Sequence, residues 1–196
     1  MNTRTSTISR KTTETDITIT INLDGTGKYQ VDTGIGFLNH MLELFSKHSL
    51  IDLTVKAAGD LKVDEHHTVE DIGICFGEAL RKALGDKKGI ERYGFLLPMD
   101  EALAEVAIDL SGRSCLVWNV SFKREKIGDM PTELFEDFFK AVADNLRTNI
   151  HINVKYGRNE HHIAESIFKA FARALKFAVS RDRRAKDLLP STKGKL

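Results

Sequence analysis

The chain has 196 residues, of which 41% are hydrophobic and 29% are charged, and its formal net charge is +1. This length accommodates one domain or two small fused units around a proper core. The near-neutral charge gives no global field that would recruit nucleic acid or a membrane surface, and no apolar run approaches the roughly 20 residues that span a bilayer. We therefore expect no nucleic-acid partner and no membrane partner.

The N-terminal segment and the cysteines bear on the cellular compartment. The first residues lack a hydrophobic signal region, and two cysteines are too few for a disulfide framework. Cys75 and Cys115 both lie in apolar surroundings, which predicts buried free thiols. These features together predict a cytoplasmic protein.

The first half of the chain alternates strand and helix patterns. Apolar residues alternate with polar ones over residues 16–23, and the sequence DGTG at 24–27 supplies a turn, so we expect a β-hairpin with one buried face. The following stretches have the patterns of a helix, a strand and a helix, at residues 37–48, 50–61 and 69–84.

The second half repeats this order. Residues 102–122 predict a strand pair that turns at 111–113, and a helix, a strand and a helix follow at 131–146, 149–156 and 163–179. Each half, 1–90 and 91–180, therefore has the order β-β-α-β-α. We predict an α+β fold of two pseudo-symmetric halves, with antiparallel or mixed sheets sandwiching the helices, and a basic tail at 181–196.

One histidine motif occurs twice in the same register. DEHHTVE at 64–70 matches NEHHIAE at 159–165. Helical periodicity explains recurring apolar residues, but it does not explain a shared histidine pair and carboxylate. A solvated histidine pair is the alternative for a single copy, whereas the second copy favours metal binding. The predicted ligands are His66, His67, Glu70, His161, His162 and Glu165.

The spacing also indicates the kind of metal site. Adjacent helical side chains point about 100° apart, so neighbouring histidines suit two different ions, whereas residues three or four apart share one face. Imidazole with carboxylate suits Mn, Fe, Zn or Ni. Each half offers a further candidate upstream: His40, polar within an apolar helical stretch, and Asp137 at the comparable position. A satisfied core histidine and a surface carboxylate are the respective alternatives.

Seven segments spread over nearly the whole chain carry a family resemblance. They are RKTTET at 10–15, TGIGFLNHML at 33–42, DEHHTVEDIG at 64–73, DLSGR at 109–113, TELFEDFFKA at 132–141, HHIAESIFKA at 161–170 and PSTKG at 190–194. Together they resemble the imidazoleglycerol-phosphate dehydratase family in its monofunctional form. The resemblance implies a lyase of histidine biosynthesis that dehydrates imidazole glycerol phosphate to imidazole acetol phosphate.

The same resemblance implies two Mn²⁺ ions per active site, each held by three histidines and a glutamate. It implies active sites between the subunits of a 24-subunit homo-oligomer. Many members have histidine where this chain has Asp137, which as a carboxylate can still ligate manganese. Acid/base catalysis falls to Glu14, with Glu70 and Glu165 as further candidates. Contacts to the small phosphorylated imidazole substrate, with the tail closing the site, are expected from Glu14, His40, His48, Arg92, Arg113, Lys169, Ser191, Thr192 and Lys193.

Two other functions fit part of the pattern. A dinuclear metallohydrolase also needs histidine and carboxylate ligands, but it usually places several aspartates at strand ends, whereas these ligands cluster at helix entrances. A non-catalytic metal-binding shell protein would bind the same ions. It would have no reason to bring Glu14 and the basic tail towards them.

Overall fold

The computed structural model describes residues 4–94, 97–182, 185 and 187–194. Four helices occur in that part of the chain, at Gly36–Ser49 (α1), His66–Leu84 (α2), Leu134–Leu146 (α3) and Glu160–Ala178 (α4). The strands are Thr5–Lys11 (β1), Thr15–Asn22 (β2), Tyr29–Asp32 (β3), Asp52–Gly59 (β4), Tyr93–Gly94 (β5), Leu97–Met99 (β6), Ala102–Asp109 (β7), Cys115–Asn119 (β8), Lys126–Ile127 (β9), Met130–Pro131 (β10) and Asn149–Tyr156 (β11).

The first sheet has the strand order β1-β2-β4-β3. Strand β2 is antiparallel to both β1 and β4, and β3 is parallel to β4. Ile17, Ile19 and Ile21 are fully buried, as their alternation predicts. The predicted hairpin of β2 with the strand after the turn is wrong, because β3 crosses to the far side of β4. The hairpin partner of β2 is instead β1, whose mostly exposed side chains give no hydrophobic alternation.

The second sheet repeats this crossing. Strand β7 is antiparallel to β6 on one side and to β11 on the other, and β8 runs parallel to β11. The predicted pairing of β7 with β8 is therefore wrong for the same reason. In both halves the central strand pairs antiparallel with the strand that leads into the histidine helix.

The helices fill the space between the two sheets. Helices α1 and α2 pack on the first sheet, and α3 and α4 on the second. Across the middle, α1 packs against α4 and α2 against α3, so each pair joins one helix from each half. Gly77 permits the second contact, because a Cβ there would lie 2.8 Å from the Val142 carbonyl oxygen. The α+β prediction, with sheets sandwiching helices, is confirmed.

The cysteines differ in their environments. Cys75 is a buried free thiol, and burial raises its pKa to about 11. Cys115 is exposed, so the prediction of two buried thiols is wrong for Cys115, which lies at the start of the edge strand β8. Within the described residues, no helix combines the length and the apolar character that crossing a membrane requires.

Candidate metal centre and active site

Both histidine pairs stand at the first turn of a helix, and the same local bond fixes each entrance. The backbone N–H of His66 donates to Asp64 Oδ1 at 2.9 Å, and that of His161 donates to Asn159 Oδ1 at 3.0 Å. Asp and Asn side chains satisfy the free N–H groups at helix starts. The two entrances therefore match in structure as well as in sequence.

His40, His161 and Glu165 form one cluster of possible metal ligands. One nitrogen or oxygen from each lies within 4.8 Å of the others. The rings of His40 on α1 and His161 on α4 have centroids 5.7 Å apart. His161 Nε2 lies 3.4 Å from Glu165 Oε2. This cluster exists because α1 packs against α4 across the middle of the molecule.

Asp137 holds the equivalent place in the other helix pair. Its carboxylate on α3 lies 3.8 Å from Nδ1 of His66 on α2. His40 on α1 and Asp137 on α3 thus each face the first histidine of the other half's motif. The correspondence of these two residues, expected from their sequence positions, is a property of the folded chain.

The second histidine of each motif contacts a carboxylate that the sequence did not single out. His67 Nδ1 lies 3.0 Å from Asp60 Oδ2, and His162 Nδ1 lies 2.7 Å from Glu101 Oε2. The bond to Asp60 raises the pKa of His67, and the bond to Glu101 raises the pKa of His162. The pKa of Glu101 falls to about 2, chiefly through that bond.

Glu14 and Glu70 occupy different positions around these histidines. Glu14 lies in the turn between β1 and β2 with its carboxylate 3.9 Å from His67 Nδ1, and it forms a second possible ligand group with Asp60 and His67. Glu70 is exposed on α2 and belongs to neither ligand group within the described residues.

Lys169 connects the cluster of His40, His161 and Glu165 to the residues predicted to bind the substrate. Its ammonium lies 2.5 Å from Glu165 Oε1. Burial opposes ionisation of Glu165, but the hydrogen bond and charge of Lys169, together with the charges of His161 and His40, lower its pKa overall. Burial lowers the pKa of His48, and the positive charges of Lys169 and Arg173 lower it further. His48 and Lys169 therefore share one electrostatic environment with Glu165.

Arg92 connects the second sheet to the C-terminal tail. Its Nε and Nη2 donate to the two carboxylate oxygens of Asp109 at 2.5 and 2.9 Å, and its Nη1 donates to the Pro190 carbonyl at 2.8 Å. Among the described residues, its guanidinium therefore contacts the tail rather than the histidines. Arg113 is exposed in the loop after β7.

The PSTKG segment follows directly on this contact. Ser191 is partly buried, and Thr192 and Lys193 are exposed. The backbone N–H of Lys193 donates to Ser191 Oγ at 3.2 Å. Five residues of the predicted basic tail, at 183, 184, 186, 195 and 196, lie outside the described residues.

These observations define a class of protein: an α+β enzyme fold with a duplicated histidine–carboxylate site at the entrances of two equivalent helices. The chain belongs to the imidazoleglycerol-phosphate dehydratase family, whose sequence profile matches residues 33–175. It is therefore a dehydratase, a lyase of histidine biosynthesis. The resemblance found in the sequence motifs is confirmed.

Individual relatives match this chain over most of its length. The chain is 57% identical to an imidazoleglycerol-phosphate dehydratase of Granulibacter bethesdensis, covering 99% of this chain and 100% of the relative. It is 58% identical to a bifunctional histidine biosynthesis protein of Spirosoma linguale, covering 98% of this chain and 50% of that one. The crystal structure of the dehydratase from Staphylococcus aureus superposes with a TM-score of 0.83 at 44% identity, covering 91% of this chain and 99% of that chain.

Proposed function

We propose that the chain dehydrates imidazole glycerol phosphate to imidazole acetol phosphate with two Mn²⁺ ions in each active site. The observation that carries the metal assignment is the pairing of His40 with His161 and of Asp137 with His66, one pair in each helix contact. Imidazole nitrogen and carboxylate oxygen are donors that manganese accepts, and no thiolate takes part. The residues present therefore fit the ions.

The family arrangement needs three histidines and a glutamate for each ion, which is more ligands than one cluster of this chain supplies. His40, His161 and Glu165 give two histidines and one carboxylate. His67 and His162 are bound to a carboxylate through Nδ1, so Nε2 is the nitrogen left for an ion. Glu70 is exposed on the surface of the chain. We propose that these residues complete the sites of neighbouring copies, in a homo-oligomer of 24 subunits.

The reaction removes hydroxide from the carbon attached to the imidazole ring and a proton from the next carbon, which together leave as water. The two Mn²⁺ ions, when bound, supply Lewis-acid stabilisation of negative charge on the ring. Glu14 is our proposed proton acceptor, because its side chain lies beside His67, is 51% exposed and forms no ion pair with a lysine or arginine among the described residues. Glu165 is held ionised by Lys169 and so suits a ligand better than a proton donor.

The phosphate group requires cations and N–H donors. We propose Lys169, Arg113 and Lys193 for direct contact, with Ser191 and Thr192 supplying hydroxyl donors in the tail. Arg92, already bound to Asp109 and Pro190, holds the tail in place. His48, beside Lys169, contacts the same part of the substrate. We place the enzyme in the cytoplasm, in keeping with free thiols and a biosynthetic reaction.

The test compares Glu14→Gln with Glu125→Gln, an exposed glutamate in the loop before β9. Bound Mn²⁺ is measured by metal analysis, and turnover by formation of imidazole acetol phosphate. Glu14→Gln should retain its metal and lose at least about 100-fold in kcat, the usual range for a proton-transfer group, while Glu125→Gln behaves as wild type. Full turnover in Glu14→Gln would remove Glu14 from proton transfer.

A further inference from the structure

Glu101 is the structural counterpart of Glu14. Glu14 immediately precedes β2, the central strand that pairs with β1 and β4, and Glu101 immediately precedes β7, which pairs with β6 and β11 in the same arrangement. Each glutamate also faces the second histidine of its own half: Glu14 lies 3.9 Å from His67 Nδ1, and Glu101 lies 2.7 Å from His162 Nδ1. The duplicated element therefore includes a hairpin glutamate as well as the helix motif.

The two copies have diverged in what the glutamate contacts. One carboxylate oxygen of Glu101 bonds His162, and the other accepts the backbone N–H groups of Asn159 at 2.8 Å and Arg158 at 3.3 Å. These bonds hold the carboxylate against the entrance of α4. In the first half Asp60, immediately after β4, forms the hydrogen bond with the imidazole at 3.0 Å, and the Glu14 carboxylate remains beyond hydrogen-bond distance.

A carboxylate on Nδ1 has a defined effect on an imidazole ring. It favours the tautomer with the proton on Nδ1, fixes the rotation of the ring and leaves the lone pair of Nε2 as the only free nitrogen ligand. Glu14, Asp60 and His67 lie close enough together to resemble a metal site. Positioning of the His67 ring by Asp60 accounts for this grouping without an ion. In the second half Glu101 lies 2.7 Å from Nδ1 of His162, and the exposed Asp100 lies 3.9 Å from Nε2, beyond hydrogen-bond distance.

We propose that Glu101 and Asp60 are positioning residues that hold His162 and His67 through Nδ1 so that each presents Nε2 to a metal ion. The assignment of Asp60 to this role in the first half leaves Glu14, the counterpart of Glu101, available to the substrate. This inference rests on the proposed metal dependence for the ligand role of the histidines. The geometry of the imidazole rings themselves does not depend on it.

The experiment uses Glu101→Ala, the nearly isosteric Glu101→Gln and the control Glu105→Ala. Glu105 lies on β7, the strand that Glu101 precedes, and pairs with Lys155 at 2.6 Å; among the described residues no ion pair joins it to either histidine pair. Free Mn²⁺ is titrated by its electron paramagnetic resonance signal at a temperature where circular dichroism shows each variant folded. Both Glu101 variants should bind Mn²⁺ about 10- to 100-fold more weakly than wild type, the usual effect of losing such a partner. Glu105→Ala should be unchanged.

A second readout separates positioning from simple support of the fold. Nitrogen-15 NMR of metal-free, histidine-labelled protein at alkaline pH should show His162 protonated on Nδ1 in wild type and in Glu105→Ala. That signal should move towards the Nε2-protonated form in both Glu101 variants. Wild-type Mn²⁺ affinity and a wild-type tautomer in Glu101→Gln would overturn the proposal. If wild type binds no Mn²⁺, the proposed function fails, and the tautomer measurement still decides whether Glu101 sets the ring.

Discussion

Asp71 ties the turn that carries Glu14 to the helix that carries the first histidine pair. Its buried carboxylate accepts Arg10 Nε–H at 2.8 Å and the Thr15 hydroxyl at 2.5 Å. In the same turn Thr12 Oγ1 accepts the backbone N–H groups of Glu14 and Thr15. The place of Glu14 beside His67 therefore depends on bonds that end at Asp71.

The cost of Asp71→Ala follows from these bonds. Each hydrogen bond to a charged group is worth about 1.5–3 kcal/mol. The Arg10 side chain is 41% exposed, so its bond is screened and contributes towards the low end. Thr15 is buried, and after the substitution its hydroxyl would keep only one hydrogen-bond partner, the hydroxyl of Thr12. We expect the free energy of unfolding to fall by about 2–4 kcal/mol in total, measured by urea denaturation of the metal-free protein.

A matched control lies on the same hairpin. Asp16 pairs with Lys11 at 2.7 Å, with side chains 55% and 77% exposed. Asp16→Ala should leave the free energy of unfolding close to that of wild type, because exposed ion pairs contribute little. At a temperature where both variants are folded, only Asp71→Ala should also lose turnover, because Glu14 is released. Equal losses of stability in the two variants would refute the reasoning.

Three further changes test other parts of the structure. Asp129 accepts the N–H groups of Gly36 and Phe37 at 2.6 and 3.0 Å; burial opposes its ionisation, but these bonds prevail and lower its pKa. Its stabilisation is therefore complete at neutral pH and lost as the pH falls through the lowered pKa. Asp129→Ala should cost about 1 kcal/mol at pH 7. A stability gap between the two proteins that does not shrink as urea titrations are carried to progressively lower pH would contradict this. Asp137→Ala should lower Mn²⁺ content and turnover together, and unchanged metal content would remove Asp137 from the ligands. Chelation should dissociate the proposed oligomer if neighbouring copies share ions, and sedimentation of an unchanged particle would count against shared sites.

The sequence predicted the elements better than their pairing. Strands β2, β4, β7 and β11 and all four helices follow from hydrophobic periodicity, which reports local burial. Strand β1 was not predicted, because its inward face carries the polar Ser6 and Arg10 beside a single buried apolar residue, Ile8, so it shows no hydrophobic alternation. The pairing of β3 with β4 and of β8 with β11 was not predicted, because periodicity indicates which face of a strand is buried but not which strand lies beside it.

The candidate site shows the same limit. The repeated motif and its spacing identified both histidine pairs, and the positions of His40 and Asp137 predicted their equivalence. The carboxylates on Nδ1 were missed, because Glu101 lies 61 residues before His162 and becomes its neighbour only through the antiparallel pairing of β7 with β11. Aligning the residues before β2 and β7 would have indicated Glu101, had β1 and β6 been identified as strands.

We propose that the dehydratase activity of this chain depends on manganese. The most direct test measures conversion of imidazole glycerol phosphate to imidazole acetol phosphate after treatment with EDTA and again after Mn²⁺ is restored. We expect turnover to vanish on chelation and to return with Mn²⁺. Turnover that survives complete removal of metal, or that stays absent with Mn²⁺ fully bound, would contradict the account.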